Sequence, residues 1–199
     1  MNNLYKNKYQ IFDGILTKHE EDCFENLILN HIPWYFNSST SSPNGPYSMY
    51  EKNDKNVIEN FQFTHLYVGY DNQYKVSKTN SEYSNLTMNL LKLFCKKTNL
   101  NNVNIVRIKS NLQTQEKNSF EENYTTPHHD FTFDHYVLLY YVNDSDGATV
   151  IFDNNNNILE KISPKKGRFL LFDGKLLHSS SSPVNCKYRI VVNFNLNFN

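Results

Sequence analysis

The order of apolar and polar positions divides the chain into two textures. In the first, Thr17 and Glu20 form a T-x-x-E capping box, in which a hydroxyl and a carboxylate each satisfy an exposed backbone N–H. Phe24, Leu27 and Ile28 follow at i, i+3, i+4 spacing, which predicts a helix turning that face to the core, ended by His31-Ile32-Pro33. Ser81 is placed to cap a second helix whose apolar side carries Leu86, Leu90, Leu93 and Phe94. Residues 9–12 read as a short extended segment and 61–70 alternate as a strand does. Between these, 37–56 is rich in Ser, Asn, Pro and Gly, which predicts a long loop: a lid or substrate-contact segment, or ordinary surface variability.

Beyond Asn102 the texture changes to short β-prone runs, at 103–112, 128–131, 136–142, 149–152, 158–162, 168–172 and 188–198. Turn signals separate them at 144–147, 164–167 and Asp173-Gly174. Many short strands so punctuated predict a mainly β protein with flanking helices, an antiparallel sandwich or barrel with one sheet buttressed by the leading helices. The expected organisation is a single domain over 1–199, with a helical and loop region over about 1–102 and a β core over about 103–199.

Composition narrows the function classes. At 199 residues, with 39% hydrophobic and 15% aromatic content, the chain can bury a sizeable core, and disorder is excluded. Twenty basic and twenty acidic residues cancel, so no overall field gathers phosphate backbones or anionic lipid, and neither nucleic acid nor membrane is a favoured partner. Cys23, Cys95 and Cys186 are far apart and odd in number, which reads as buried thiols in a reducing compartment. The N-terminus lacks an apolar stretch, and no run approaches the roughly 18 apolar residues of a membrane span, so the expectation is a cytosolic protein.

The chemistry concentrates in three short motifs. In PHHDF, residues 127–131, His128 and Asp130 are two apart, so on a strand they share a face while His129 leaves the other. Alone, H-x-D is a weak signal. It sharpens at FLLFDGKLLHSS, where His178 follows a β run and a tight turn, and at KYR, where Arg189 lies eleven residues beyond His178. Two His and one carboxylate form the facial triad that suits non-haem iron(II) with open positions. A permanently charged, planar Arg nearby suits the far end of a dicarboxylate.

Over residues 105–194, through RIKSNL, PHHD, LLYYVN, Gly147-Ala148-Thr149, PKKGR, LLFDG, LLH and YRIVVNF, the chain resembles the 2-oxoglutarate/iron(II) oxygenase superfamily. The likeness is closest to its prolyl-4-hydroxylase-like branch, which includes members found in phages; for a viral chain the expected location is the host cytoplasm. The resemblance implies a double-stranded β-helix, the jelly roll of cupin-like proteins. It implies iron(II) on His128, Asp130 and His178, the 2-oxoglutarate C5-carboxylate on Arg189, and a phenol hydrogen bond to that carboxylate from Tyr140, a position that a one-residue shift would hand to Tyr141. Relatives often carry two glycines where this chain has Gly147-Ala148, and the retained Asp130 argues against a halogenase.

Other residues carry two readings each. Asn193 shares a strand face with Arg189 and either lines the pocket or makes a structural hydrogen bond. Arg107, Lys109 and Asn111 share one face of a strand that lines the co-substrate pocket in the relatives, and an edge strand's solvent face gives the same pattern. Trp34, with Tyr35, Phe36, Tyr47 and Tyr50, makes an aromatic wall over substrate or packs the first helix; Tyr124 is a further substrate-side candidate. His129 and His135 flank the triad and read as packing or exposed residues, as do His19, His31 and His65, and no nucleophile motif surrounds Ser179 to Ser182.

The activity implied is oxidative decarboxylation of 2-oxoglutarate by dioxygen coupled to C–H hydroxylation, with ascorbate as a stimulating reductant. The substrate is a protein or peptide side chain, prolyl-like, or a small molecule such as a free amino acid. Two other classes stand beside it: a zinc or manganese hydrolase using the same three ligands, and a non-catalytic β-sandwich acting as a binding module.

Overall fold

The computed structural model describes residues 8–40, 55–58, 60–117, 120 and 122–198. Helix α1 runs over Lys18–Asn30 and opens on the expected capping box. The Thr17 hydroxyl accepts the Glu20 N–H at 3.3 Å and the Glu20 carboxylate accepts the Thr17 N–H at 2.7 Å. Phe24 and Ile28 are buried, but Leu27 lies at the rim of the stripe and stays 39% exposed, contrary to expectation. The three cysteines are free, but none is fully buried as expected: Cys23 is exposed on α1, and Cys95 and Cys186 are partly buried. Helix α2, Ser84–Thr98, starts later than Ser81 suggests: Ser81 closes the preceding turn, its carbonyl accepting the Ser84 N–H and its hydroxyl meeting the Tyr83 N–H and the His65 ring.

The strands are β1 Tyr9–Phe12, β2 Tyr35–Asn37, β3 Gln62–Asp71, β4 Val76–Thr79, β5 Val103–Thr114, β6 Tyr136–Tyr141, β7 Thr149–Phe152, β8 Ile158–Ile162, β9 Phe169–Asp173, β10 His178–Ser180 and β11 Tyr188–Phe198. A large sheet has the order β1-β9-β6-β11-β5-β3-β2, with β4 on β3, and a small sheet has the order β10-β7-β8. Their pairings are antiparallel. This is the expected jelly roll with helices behind the large sheet.

Strand alternation sorts the core into layers. One face of the large sheet, with Ile108, Leu138, Tyr140, Phe169, Val192 and Phe194, packs on Phe24, Ile28, Leu90 and Phe94 of the helices. The opposite face, with Val137, Leu139, Tyr141, Leu170, Phe172 and Val191, packs on Ile151 and Ile162 of the small sheet. The space between the sheets holds the site.

Sequence alternation missed some strands and invented one. Residues 128–131 do not form a strand; a single antiparallel bridge joins His128 to His178. Strands β2, β4 and β10 were not anticipated, being three or four residues long. The core of the predicted loop, 41–54, with Tyr47 and Tyr50, lies outside the described residues, so the expectation of a lid falls there too.

Replacing Thr17 with Ala removes the hydroxyl half of the α1 box and should cost about 1 kcal/mol, read as a lower urea midpoint at unchanged m-value.

Candidate metal and co-substrate site

The site is organised by the pairing of β5 with β11. In that ladder Arg189 faces Gln113, Val191 faces Asn111, Asn193 faces Lys109 and Asn195 faces Arg107. Directly opposed residues of an antiparallel pair share a sheet face, so these side chains project together toward the small sheet. Strand β10 brings His178 in from the other side, opposite Ile151 of β7. Reciprocal backbone bonds, His128 N–H to His178 O at 3.0 Å and His178 N–H to His128 O at 3.1 Å, lock the two histidines side by side. Asp130 follows two residues on, and the ligand atoms of His128, Asp130 and His178 all lie within 4.8 Å of one another.

Each imidazole is oriented by a carbonyl. His128 Nδ1 is 3.0 Å from Thr126 O and His178 Nδ1 is 3.0 Å from Leu176 O, so both Nδ1 atoms carry the proton and both Nε2 lone pairs are left for a metal. Burial, then the neighbouring His128, pushes the His178 pKa down to about 4, and burial lowers that of His128. Both rings are therefore neutral, the ligand form, at neutral pH.

For Asp130, burial works toward a raised pKa, but Arg107 and then the two histidines outweigh it and hold the carboxyl well below its usual range. Arg107 pairs with Oδ1, while Asn193 and Asn195 donate their amides to Oδ2 at 3.0 and 2.8 Å. Arg107 is itself held by Asn195 Oδ1 at 2.9 Å. Three side chains thus orient one carboxylate, and Asn193 stands at the metal end of the site.

Arg189 lies at the other end and is 3% exposed. Its Nε donates to Gly147 O at 2.7 Å, one terminal nitrogen to Gln113 Oε1 at 3.2 Å and the other to Thr149 Oγ1 at 2.8 Å. All three acceptors are neutral. Burial disfavours its charge, yet a guanidinium does not give up its proton in a protein, and a buried cation without an anion is costly. Nearby, Asn111 Oδ1 and Gln113 Nε2 are buried without partners. An unanswered buried cation and a free amide donor beside it fit the carboxylate of a dicarboxylic acid. A side chain at Gly147 would place its Cβ 2.5 Å from Ser181 O and 3.0 Å from Arg189 Cδ, so the first glycine of the turn is sterically required.

Three expected site residues lie elsewhere. Tyr140 is opposite Val192 on the helix side of the sheet, 5.3 Å from Phe24 and 4.8 Å from Phe169 between ring centres. Strand parity gives the phenol beside Arg189 to Tyr141, whose ring centre is 5.9 Å from the guanidinium carbon and whose hydroxyl donates to Thr149 Oγ1 at 2.7 Å. Trp34 packs against the helix-side core. Tyr124 packs with Val150, Phe152 and Leu177 on the outer face of the small sheet, because the bond from Thr125 N–H to Ser180 O lays its segment along β10.

Lys109 lies on the site face at the Asn193 rung. Burial and then Arg107 lower its pKa to about 8, which leaves it charged at neutral pH. His129 and His135 are not drawn into the cluster; His135 Nδ1 meets Phe133 O at 2.8 Å among Phe131 and Phe133. The residues that sequence reasoning missed are Asn195, Gln113, Thr149 and the carbonyls of Thr126 and Leu176. Period-two alternation places Asn195 and Gln113 on the right faces; the carbonyls leave no signal in the sequence.

A jelly roll enclosing a two-histidine, one-carboxylate cluster offers the donor set that non-haem iron takes in oxygenases. A family model described as the 2OG-Fe(II) oxygenase superfamily matches residues 115–197, a stretch that includes His128, Asp130, His178 and Arg189. Over that stretch the chain is similar to a superfamily of enzymes that use iron(II), 2-oxoglutarate and dioxygen.

Solved structures agree in fold. A 2OG-Fe(II) oxygenase family oxidoreductase from Burkholderia pseudomallei superposes with a TM-score of 0.73 over 98% of this chain and 88% of that one, at 11% identity. The viral collagen prolyl hydroxylase of Paramecium bursaria Chlorella virus-1, in its 2OG complex, gives 0.54 over 97% of both chains at 16% identity. A Trichoplax adhaerens prolyl hydroxylase, bound to a peptide fragment of the hypoxia inducible factor oxygen degradation domain, gives 0.57 over 98% and 86% at 16% identity. No match to this sequence is found among curated proteins.

Two outcomes follow from the geometry. Arg107→Ala removes the ion pair that orients Asp130 and should weaken iron(II) binding about 10- to 100-fold in an anaerobic titration. Because the folded His178 pKa is depressed from 6.5 to about 4, the unfolded chain takes up a proton that the folded site refuses between those values. The metal-free protein should keep its full stability above about pH 6.5 and lose it as the pH falls toward about 4, a slope that His178→Gln reduces in urea midpoints measured across that window.

Proposed function

We propose that this enzyme couples oxidative decarboxylation of 2-oxoglutarate to hydroxylation of a C–H bond in a peptidyl, prolyl-like, or free amino-acid substrate. The observation that carries the reading is the division of one ladder face: a three-ligand metal cluster at one end and, at the other, a buried Arg189 that no carboxylate answers among the described residues. His128, Asp130 and His178 would hold iron(II), which would supply the activation of dioxygen at the expense of the 2-oxo acid.

The chain's own residues do the rest. The carbonyls of Thr126 and Leu176 hold the two imidazoles in register, and Arg107, Asn193 and Asn195 hold the carboxylate, so the ligand set needs little reorganisation on binding metal. Gln113, Thr149 and Gly147 fix the Arg189 fork, which receives the C5-carboxylate. The apolar layer of Leu139, Tyr141, Ile151, Phe172 and Val191 excludes water from the site wall.

The peptidyl reading is supported by the fold shared with prolyl hydroxylases. Ascorbate is expected to stimulate turnover. Free Cys23, Cys95 and Cys186 suit a reducing cytoplasm, and no helix among the described residues is long and apolar enough to cross a membrane. A zinc or manganese hydrolase on the same ligands leaves the buried charge of Arg189 without a purpose.

The test is an anaerobic titration of the metal-free protein with iron(II) and 2-oxoglutarate, following the visible charge-transfer band of a chelated 2-oxo acid. The band should be lost in His178→Ala, and Arg189→Ala should need at least about thirtyfold more 2-oxoglutarate. Oxygen-dependent succinate release should follow the same order. A folded protein that binds iron(II) but gives no band would sink the assignment.

A further inference from the structure

The charge balance of the site goes further, given the oxygenase reading on which this inference rests. Among the described residues, the β5–β11 face carries three cations, Arg107, Lys109 and Arg189, and the carboxylate that reaches it is Asp130. Arg107 is committed to Asp130. Iron(II) brings two positive charges and 2-oxoglutarate two negative ones, so loading leaves the excess of two positive charges where it was. Arg189 would take one end of the co-substrate and a metal on His128, Asp130 and His178 would take the other. Lys109 remains unanswered.

Its position separates it from the Arg189 subsite. Lys109 stands opposite Asn193, the residue that donates to Asp130, and opposite Leu66 of β3 on its other side. Gln113, the partner of Arg189, is four residues along the same strand, roughly 13 Å away at the usual strand rise. The Lys109 ammonium makes no ion pair with any described residue; its charge is felt at Asp130 and at His128 only through space.

A second atom narrows the ligand. Asn193 Nδ2 is fixed by its bond to Asp130, which forces Oδ1 to face away, and that oxygen is buried with no donor. Ionised 2-oxoglutarate has acceptors only and cannot satisfy it. The site therefore offers, at its metal end, one cation wanting an anion beside one acceptor wanting an N–H.

We propose that Lys109 and Asn193 Oδ1 recognise the primary substrate, and that this substrate carries a carboxylate next to an N–H, as a free or N-acylated amino acid or a peptide C-terminus does. Arg189 serves the co-substrate and Lys109 serves the molecule to be oxidised.

The test uses the full chain loaded anaerobically with iron(II) and 2-oxoglutarate, with N-acetylglycine and N-acetylglycinamide as probes. Calorimetry and the charge-transfer band report binding without turnover. N-acetylglycine should bind and its amide should bind at least about tenfold more weakly; Lys109→Met should abolish that preference and Lys109→Arg should keep it. Affinity for 2-oxoglutarate should change less than about threefold in either variant, since its distal carboxylate is held by Arg189.

Three results overturn the proposal: equal binding of acid and amide, no binding of the acid by the loaded protein, or loss of 2-oxoglutarate affinity in Lys109→Met comparable to that in Arg189→Ala. The last would show that Lys109 holds the co-substrate's other carboxylate. Absence of the band in the unsubstituted protein marks failure of the oxygenase reading itself. Urea midpoints of both variants separate a folding defect from lost recognition; an apolar Met in place of an unpaired, half-buried Lys should not lower them.

Discussion

The register between β5 and β11 holds the chemistry of this protein together. Eleven residue pairs run from Tyr188 opposite Thr114 to Phe198 opposite Val103, with one irregularity between Asn195 and Leu196. Every other pair faces the space between the sheets. A slip of one residue would turn Arg107, Lys109 and Arg189 into the apolar layer beneath the helices and bring Ile108, Ile190 and Val192 out of it. The apolar face therefore enforces the polar one: the burial that makes the slip costly is what keeps the functional side chains aligned.

On that frame the site divides its charges unequally. Asp130 is fully provided for, with a guanidinium on one oxygen and two amides on the other. Arg189 has only a carbonyl, an amide oxygen and a hydroxyl. Burying a cation on neutral acceptors lowers stability, and a folded chain tolerates it where a ligand later supplies the anion. The same logic separates Lys109 from Arg107. Cations two residues apart on one strand face repel each other, and only one of them is matched by a carboxylate of the protein.

Burial of the histidines works in the same direction. Neutral imidazoles with Nδ1 spent on backbone carbonyls need neither deprotonation nor a tautomer change before they accept a metal. The two histidines come from segments fifty residues apart and meet through one backbone bridge, so their alignment depends on β10 docking beside β7.

The sequence by itself determined the capping box of α1 and the mainly β character of 103–198, both written in short-range spacing or period. By residue type and spacing it also singled out His128, Asp130 and His178, which the fold brings within 4.8 Å of one another, and Arg189, which it buries on the same sheet face as Asn193. Its errors are of another kind. Tyr140 and Tyr141 are adjacent and chemically identical, so only the pairing of β6 with β11 says which phenol turns toward Arg189. Trp34 and Tyr124 are aromatic wherever they lie, and their placement against the helix core and on the outer face of the small sheet depends on which layer covers them. The strand read at 128–131 is a single bridge because His128 pairs only with a residue far along the chain. The carbonyls of Thr126 and Leu176, the amides of Asn193 and Asn195 on Asp130, and the isolation of Lys109 were decided by tertiary structure alone. They depend on distances between strands, which the antiparallel register sets and which local spacing along one strand does not encode.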